Sequence, residues 1–141
     1  MRNSMNKKYV VRDLPALAES ALAVLDSGVG TDEFPLLQGR VLAVQASPAT
    51  ETSEDMAWGI AALPAGYSAP EHTHRAEEFA MILRGSGSIT IEDEVIPVRE
   101  GSVVVTPPHL RHLTTAGPDG PMVVYWVYGP AGSEARWLEK S

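Results

Sequence analysis

The four histidines of this 141-residue chain, His72, His74, His109 and His112, all fall within a 41-residue stretch of a sequence otherwise cut into short apolar runs. The runs are separated by Gly, Pro, Ser and Asp clusters, which is how a β-sandwich or barrel of short strands reads. Strands are expected near Arg40 to Ala46, Met56 to Leu63, Glu78 to Arg84, Gly87 to Ile91, Glu94 to Val98, Ser102 to Val105, His112 to Thr115 and Met122 to Tyr128. Eight strands suffice for a double-sheet jelly roll. The polar stretch Ser47 to Asp55 reads as a surface loop.

Side chains alternate faces along an extended strand. His72, His74 and Glu78, all of even parity, therefore converge if pairing is uninterrupted. A sheet that curls on itself can add His112 from a facing strand as a fourth ligand. Three neutral imidazoles and one carboxylate suit a first-row divalent metal (Fe, Mn, Ni, Zn, Co or Cu), and the donor set does not choose among them. An octahedral ion would keep two positions open for a substrate oxygen, water or dioxygen. Such a site carries a net charge near plus one and favours a small, anionic guest.

The glycines and proline around these histidines are regularly placed. Gly66 to Gly85 reads GYSAPEHTHRAEEFAMILRG, or G-x5-H-x-H-x3-E-x6-G, and Gly101 to Ala116 reads GSVVVTPPHLRHLTTA, or G-x5-P-x4-H. Together the blocks resemble the paired motifs of the cupin superfamily over roughly residues 40 to 130. The resemblance implies an all-β, double-stranded β-helix (jelly-roll) cupin barrel, with His72, His74, Glu78 and His112 as ligands of one metal per chain. Two positions depart from the pattern. His109 stands where the second motif has a turn glycine, and Ala116 where it has asparagine. His109 must then tolerate the glycine's backbone geometry or mark a different turn.

One helix is expected near residues 14 to 26. Leu14, Leu17, Ala18, Ala21, Leu22 and Leu25 follow helical spacing, with Asp13 placed to cap the start and Gly28 to end it. The chain thus divides into an N-terminal extension (1–39), a barrel (40–130) and a C-terminal tail (131–141). On the strand carrying Glu78, Ala80 and Ile82 share its face while Phe79, Met81 and Leu83 point away. That second stripe needs cover from the helix or from a second subunit, and cupins are often dimers, so a homodimer is expected. In VVYWVY near the C-terminus, parity puts Trp126 and Tyr128 on one face, as candidates to line the barrel mouth. Arg84, of Glu78 parity, is a candidate substrate contact. Arg75, Glu77 and Arg111 neighbour ligands and read as rim charges.

Composition excludes other chemistries. Eleven basic against 18 acidic residues give a formal charge of −7, which argues against nucleic acid or anionic membrane as partner. The absence of cysteine removes disulfides, thiolate sites and cysteine nucleophiles. The N-terminal MRNSMNKKYV has no apolar signal-peptide core, and the longest apolar run, Met122 to Tyr128, is too short to span a bilayer, so a cytoplasmic protein is expected. No G-x-S-x-G elbow, phosphate-binding loop or dinucleotide fingerprint occurs. The expectation is a metal-dependent enzyme acting on a small oxygenated organic molecule. An oxygenase stands ahead of lyase, isomerase or decarboxylase chemistry, and a non-catalytic ligand-binding module is the second reading. The superfamily's transcription-regulating sensors carry a helix-turn-helix, for which a single helix leaves no room.

Overall fold

The computed structural model describes residues 9–138. Helix α1 (Leu14–Ser27) starts where Asp13 accepts a hydrogen bond from the Ala16 N–H and stops where Gly28, at φ 73°, turns left-handed and returns its N–H to the Val24 carbonyl. Nine strands follow: β1 (Leu36–Leu37), β2 (Arg40–Ala46), β3 (Ala57–Leu63), β4 (Glu77–Arg84), β5 (Ser86–Ile91), β6 (Glu94–Arg99), β7 (Val103–Thr106), β8 (His112–Ala116) and β9 (Met122–Gly129). A four-residue helix, α2 (Ala135–Leu138), ends the described chain.

The strands form a six-stranded sheet in the order β1-β2-β3-β9-β4-β7 and a three-stranded sheet in the order β6-β5-β8. All pairings are antiparallel. This is the double-sheet jelly roll expected from the sequence. Sequence spacing located eight of the nine strands to within one or two residues. It missed the two-residue β1, a 3-10 turn at Pro48–Thr50 inside the expected loop, and α2. Elements of two to four residues are too short for periodicity to register.

The large sheet is apolar on both faces, for two reasons. Leu42, Ala61, Leu63, Ala80, Ile82, Val124 and Trp126 point into the barrel. Their alternates Val41, Ala43, Ile60, Ala62 and Val123 pack outward against Leu17, Ala18, Ala21 and Val24 of α1. The helix thereby shields a sheet face that water would otherwise reach. Two glycines are required by close approach. Gly85 sits at φ 78° with the Pro121 carbonyl where a Cβ would stand, and Gly59 lies directly beneath the indole of its cross-strand partner Trp126.

The outward stripe of β4 is covered unevenly. Leu83 packs into the α1 cluster, and Phe79 meets Tyr125 with ring centroids 6.1 Å apart. Phe79 and Met81 pair with Val105 and Val103 of β7, and those two valines are about half exposed, at 51% and 49%.

Candidate metal centre

His72, His74, Glu78 and His112 come together at one end of the barrel, each offering a donor atom, with all four donors within 4.8 Å of one another. The convergence does not come from one unbroken strand. Glu78 lies on β4, but a bend at Arg75 and Ala76 separates it from the two histidines, and His72 pairs with His112 through an isolated antiparallel bridge. Backbone bonds in both directions between His72 and His112, at 3.0 Å, fix the His72 segment to the start of β8.

Each imidazole is oriented by its own backbone. The Nδ1 atoms lie 3.1 Å from the Pro70 carbonyl for His72, 2.9 Å from Ala76 for His74 and 2.9 Å from Leu110 for His112. A carbonyl can only accept, so each Nδ1 carries the proton and each Nε2 turns inward as a lone pair. His74 Nε2 and His112 Nε2 both sit 3.1 Å from Glu78 Oε1. Lone pairs so close to a carboxylate oxygen repel unless a cation or proton lies among them. Two donors at right angles around an ion at about 2.1 Å would be about 3.0 Å apart. His72 Nε2 is buried without any protein partner among the described residues, an orphaned lone pair of the kind a metal ion satisfies. The donor set fits a divalent ion.

Electrostatics agrees with that fit. Burial pulls the His72 imidazole down to about 4, so it is neutral and ready to donate at neutral pH. Burial pushes the Glu78 carboxyl up, but His112 and His74, which can donate to it once their rings are protonated, outweigh burial and hold the group down at about 2. His112 moves the other way: burial lowers it, yet its bond to Glu78 and the Leu110 carbonyl raise it on balance.

A cavity of about 50 Å³ adjoins the cluster, with room for a few waters or a small molecule. His72, Glu78, Trp126, Tyr128, Arg40 and Trp137 are in its walls, with aliphatic side chains between them. Trp126 and Tyr128, expected at the mouth, line this cavity from within the barrel core and are both 3% exposed. Burial raises the Tyr128 phenol, which stays protonated and accepts a hydrogen bond from Trp137 Nε1 at 3.0 Å.

Arg84 is not there. A register irregularity between Ile82 and Arg84 takes it out of the inward row, and its guanidinium lies 4.0 Å from Glu19 on α1. Arg111 is on the surface beside Glu92, Asp93 and Glu71, Arg75 lines a separate shallow depression near Pro130, and Glu77 is exposed. His109 takes the glycine's place literally. At φ 66° it keeps the left-handed turn, stays exposed, and donates its backbone N–H to the His74 carbonyl at 2.8 Å.

Sequence reasoning missed Arg40 and Trp137. Arg40 begins the inward row of β2 that continues in Leu42, a signal visible in the alternation once the direction of Leu42 is known. Trp137 belongs to the segment after the barrel. That segment is held down by Glu134, which is 1% exposed and accepts from Ser47 Oγ at 2.5 Å and from the Gly132 N–H at 2.6 Å.

The two-sheet barrel and its histidine-carboxylate cluster define a cupin, and the cupin-domain family profile matches residues 59–128. This chain belongs to the cupin superfamily. It is 37% identical over 85 residues to the dimethylsulfoniopropionate lyase DddW of Ruegeria pomeroyi, a match covering 60% of this chain and 54% of that protein. The chain thus spans about half the length of this curated relative. Among solved structures, a cupin protein from Bacteroides fragilis superposes with TM-score 0.56 at 26% identity, over 79% of this chain and 92% of the other. A salicylate 1,2-dioxygenase from Pseudaminobacter salicylatoxidans superposes with TM-score 0.65 at 14% identity, over 82% of this chain and 32% of the other, a likeness of fold.

Proposed function

We propose that this chain is a metal-dependent cupin enzyme acting on a small oxygenated organic molecule, with His72, His74, Glu78 and His112 holding one divalent first-row ion. The observation that carries this is the set of four donors converging beside a cavity, with His72 Nε2 buried and unpartnered. Bound there, such an ion supplies Lewis acidity, or a site for dioxygen if it is iron. The protein's own contribution is orientation and dryness. The Nδ1 bonds fix the imidazoles, the aromatic walls exclude water, and the protonated Tyr128 hydroxyl offers a donor to a guest oxygen.

The 37% identity to a lyase supports reading the reaction as non-oxidative elimination ahead of the oxygenase expected from the sequence. The likeness to salicylate dioxygenase is one of fold and does not restore that order. Elemental analysis of the purified protein should find about one metal per chain, and His74→Ala should abolish it. Metal-loaded protein is then assayed with dimethylsulfoniopropionate for elimination, and with a panel of small acids and phenols for oxygen consumption. Turnover without oxygen uptake supports the lyase reading, and iron with oxygen uptake supports the oxygenase. Stoichiometric metal with ligand binding and no turnover would make the chain a binding module. Full metal occupancy in His74→Ala would remove the ligand assignment. The open strip of Phe79, Met81, Val103 and Val105 is consistent with a homodimer, which light scattering of the purified protein decides.

A further inference from the structure

Arg40 is 4% exposed, and no carboxylate lies within ion-pairing distance of it among the described residues. Burying a guanidinium cation without a counter-ion is strongly unfavourable, because the lost hydration is not replaced. Its hydrogen bonds are one-sided. Nη1 donates to the Leu37 carbonyl at 3.1 Å and, weakly, to the Tyr67 hydroxyl at 3.5 Å. The donors on Nε and Nη2 have no acceptor among the described residues, and neither atom is sealed from solvent space as Trp126 Nε1 is. A fork of parallel N–H groups left free at a cavity wall matches a planar carboxylate.

Trp137 lies next to both Arg40 and the metal centre. The indole stands 5.6 Å from the His72 ring and 5.6 Å from the Arg40 guanidinium carbon, so it bridges the cationic wall and the histidine cluster. Glu78, the acidic residue in the cavity wall, is already engaged by His74 and His112. The rest of the wall near Arg40 is apolar: Leu42, Ala61, Leu63 and Val124. Thr114, Trp126 and Tyr128 add neutral polar groups to the wall, and the guanidinium is the one cationic side chain in it.

We propose that Arg40 is the carboxylate-binding residue of this cavity, and that the guest is a small organic acid whose carboxylate lies on the guanidinium while its other end reaches the His72 and Glu78 side. Arg40 is then a specificity determinant that rejects neutral isosteres. The orientation of the guest rests on the metal reading above; the anion site itself rests on Arg40 alone.

The test uses propionate and its neutral isostere propionamide as probes, followed by intrinsic tryptophan fluorescence and calorimetry, on metal-free and manganese-loaded protein. Propionate should bind at least tenfold more tightly than propionamide in both forms. Arg40→Met should erase that preference in both, and Arg40→Lys should restore part of it, with thermal melts establishing that each variant is folded. Unchanged propionate affinity in folded Arg40→Met would overturn the proposal. Should that variant fail to fold, the Arg40 Nε–Hε resonance of the wild-type protein decides: a saturable shift with propionate and none with propionamide supports the site, and no shift overturns it. The two readings fail separately. Arg40-dependent propionate binding in a protein that takes up no metal leaves the anion site standing and removes the metal centre, whereas stoichiometric metal with Arg40-independent binding does the reverse.

Discussion

The indole N–H of Trp137 donates to the hydroxyl of Tyr128 across 3.0 Å, joining the segment after the barrel to the strand that lines its interior. Trp137 also borders His72 and Arg40, so the segment after the barrel supplies part of the cavity wall. Trp137→Ala is expected to leave metal stoichiometry unchanged, since it supplies no ligand atom. It should weaken a small bound acid by roughly tenfold and speed its release, in keeping with about 1.4 kcal/mol per decade of affinity. Stopped-flow displacement of the bound acid measures both. An unchanged release rate would mean that the indole does not gate the cavity.

Protons should compete with metal chiefly at His112. Its imidazole is held above the ordinary histidine value by Glu78 and the Leu110 carbonyl after burial has been overcome, whereas His72 is neutral down to about 4. Metal affinity should therefore fall as pH falls through the raised His112 value, with proton release on binding near neutral pH. Calorimetry in buffers of different ionisation enthalpy counts those protons.

In the metal-free protein the signs separate. Lowered folded-state values for His72 and Glu78 mean that the unfolded chain binds more protons, so stability is lost as pH falls from 6.5 towards about 4 through His72 and from 4.5 towards about 2 through Glu78. His112 contributes oppositely, its stabilisation being complete below 6.5 and lost as pH rises through its raised value. Urea midpoints across this range should fall on the acid side. Flat midpoints between pH 6.5 and 3 would contradict the burial of His72 and Glu78.

Gly59→Ala tests the packing that sets the cavity wall. An added Cβ would meet the Ala43 carbonyl and the Trp126 ring, with Trp126 Cζ2 at 2.5 Å. A loss of about 1–3 kcal/mol in urea unfolding is expected, together with a shifted Trp126 emission. Wild-type stability would show that the indole does not rest on Gly59.

His109→Gly should do the opposite. His109 is exposed and holds φ 66°, where an L-residue carries a penalty of about 1–2 kcal/mol that glycine avoids, offset in part by the entropy glycine adds to the unfolded chain. Stability should rise by up to about 1 kcal/mol with metal binding intact. Loss of metal would reveal a role for the imidazole itself.

The residues show how far sequence reading reaches here. His72, His74, Glu78 and His112 were legible because the motif records their spacing, and Trp126 and Tyr128 because strand parity groups them. Parity failed for Arg84, since a local irregularity in β4 reverses the alternation and leaves no mark in the sequence. It could not find Arg40, because alternation says which residues share a face and never which face is inside.

By itself, then, the order of residues determined the strands, the helix with its caps, and the four donors, all of which follow from interactions a few residues long or from a spaced motif. Tertiary structure decided what those donors look onto. Arg40 and Trp137 are almost a hundred residues apart in the chain, and Ser47 and Glu134 are 87 apart. Only closure of the barrel, driven by burying both faces of the large sheet, brings such distant groups to one cavity.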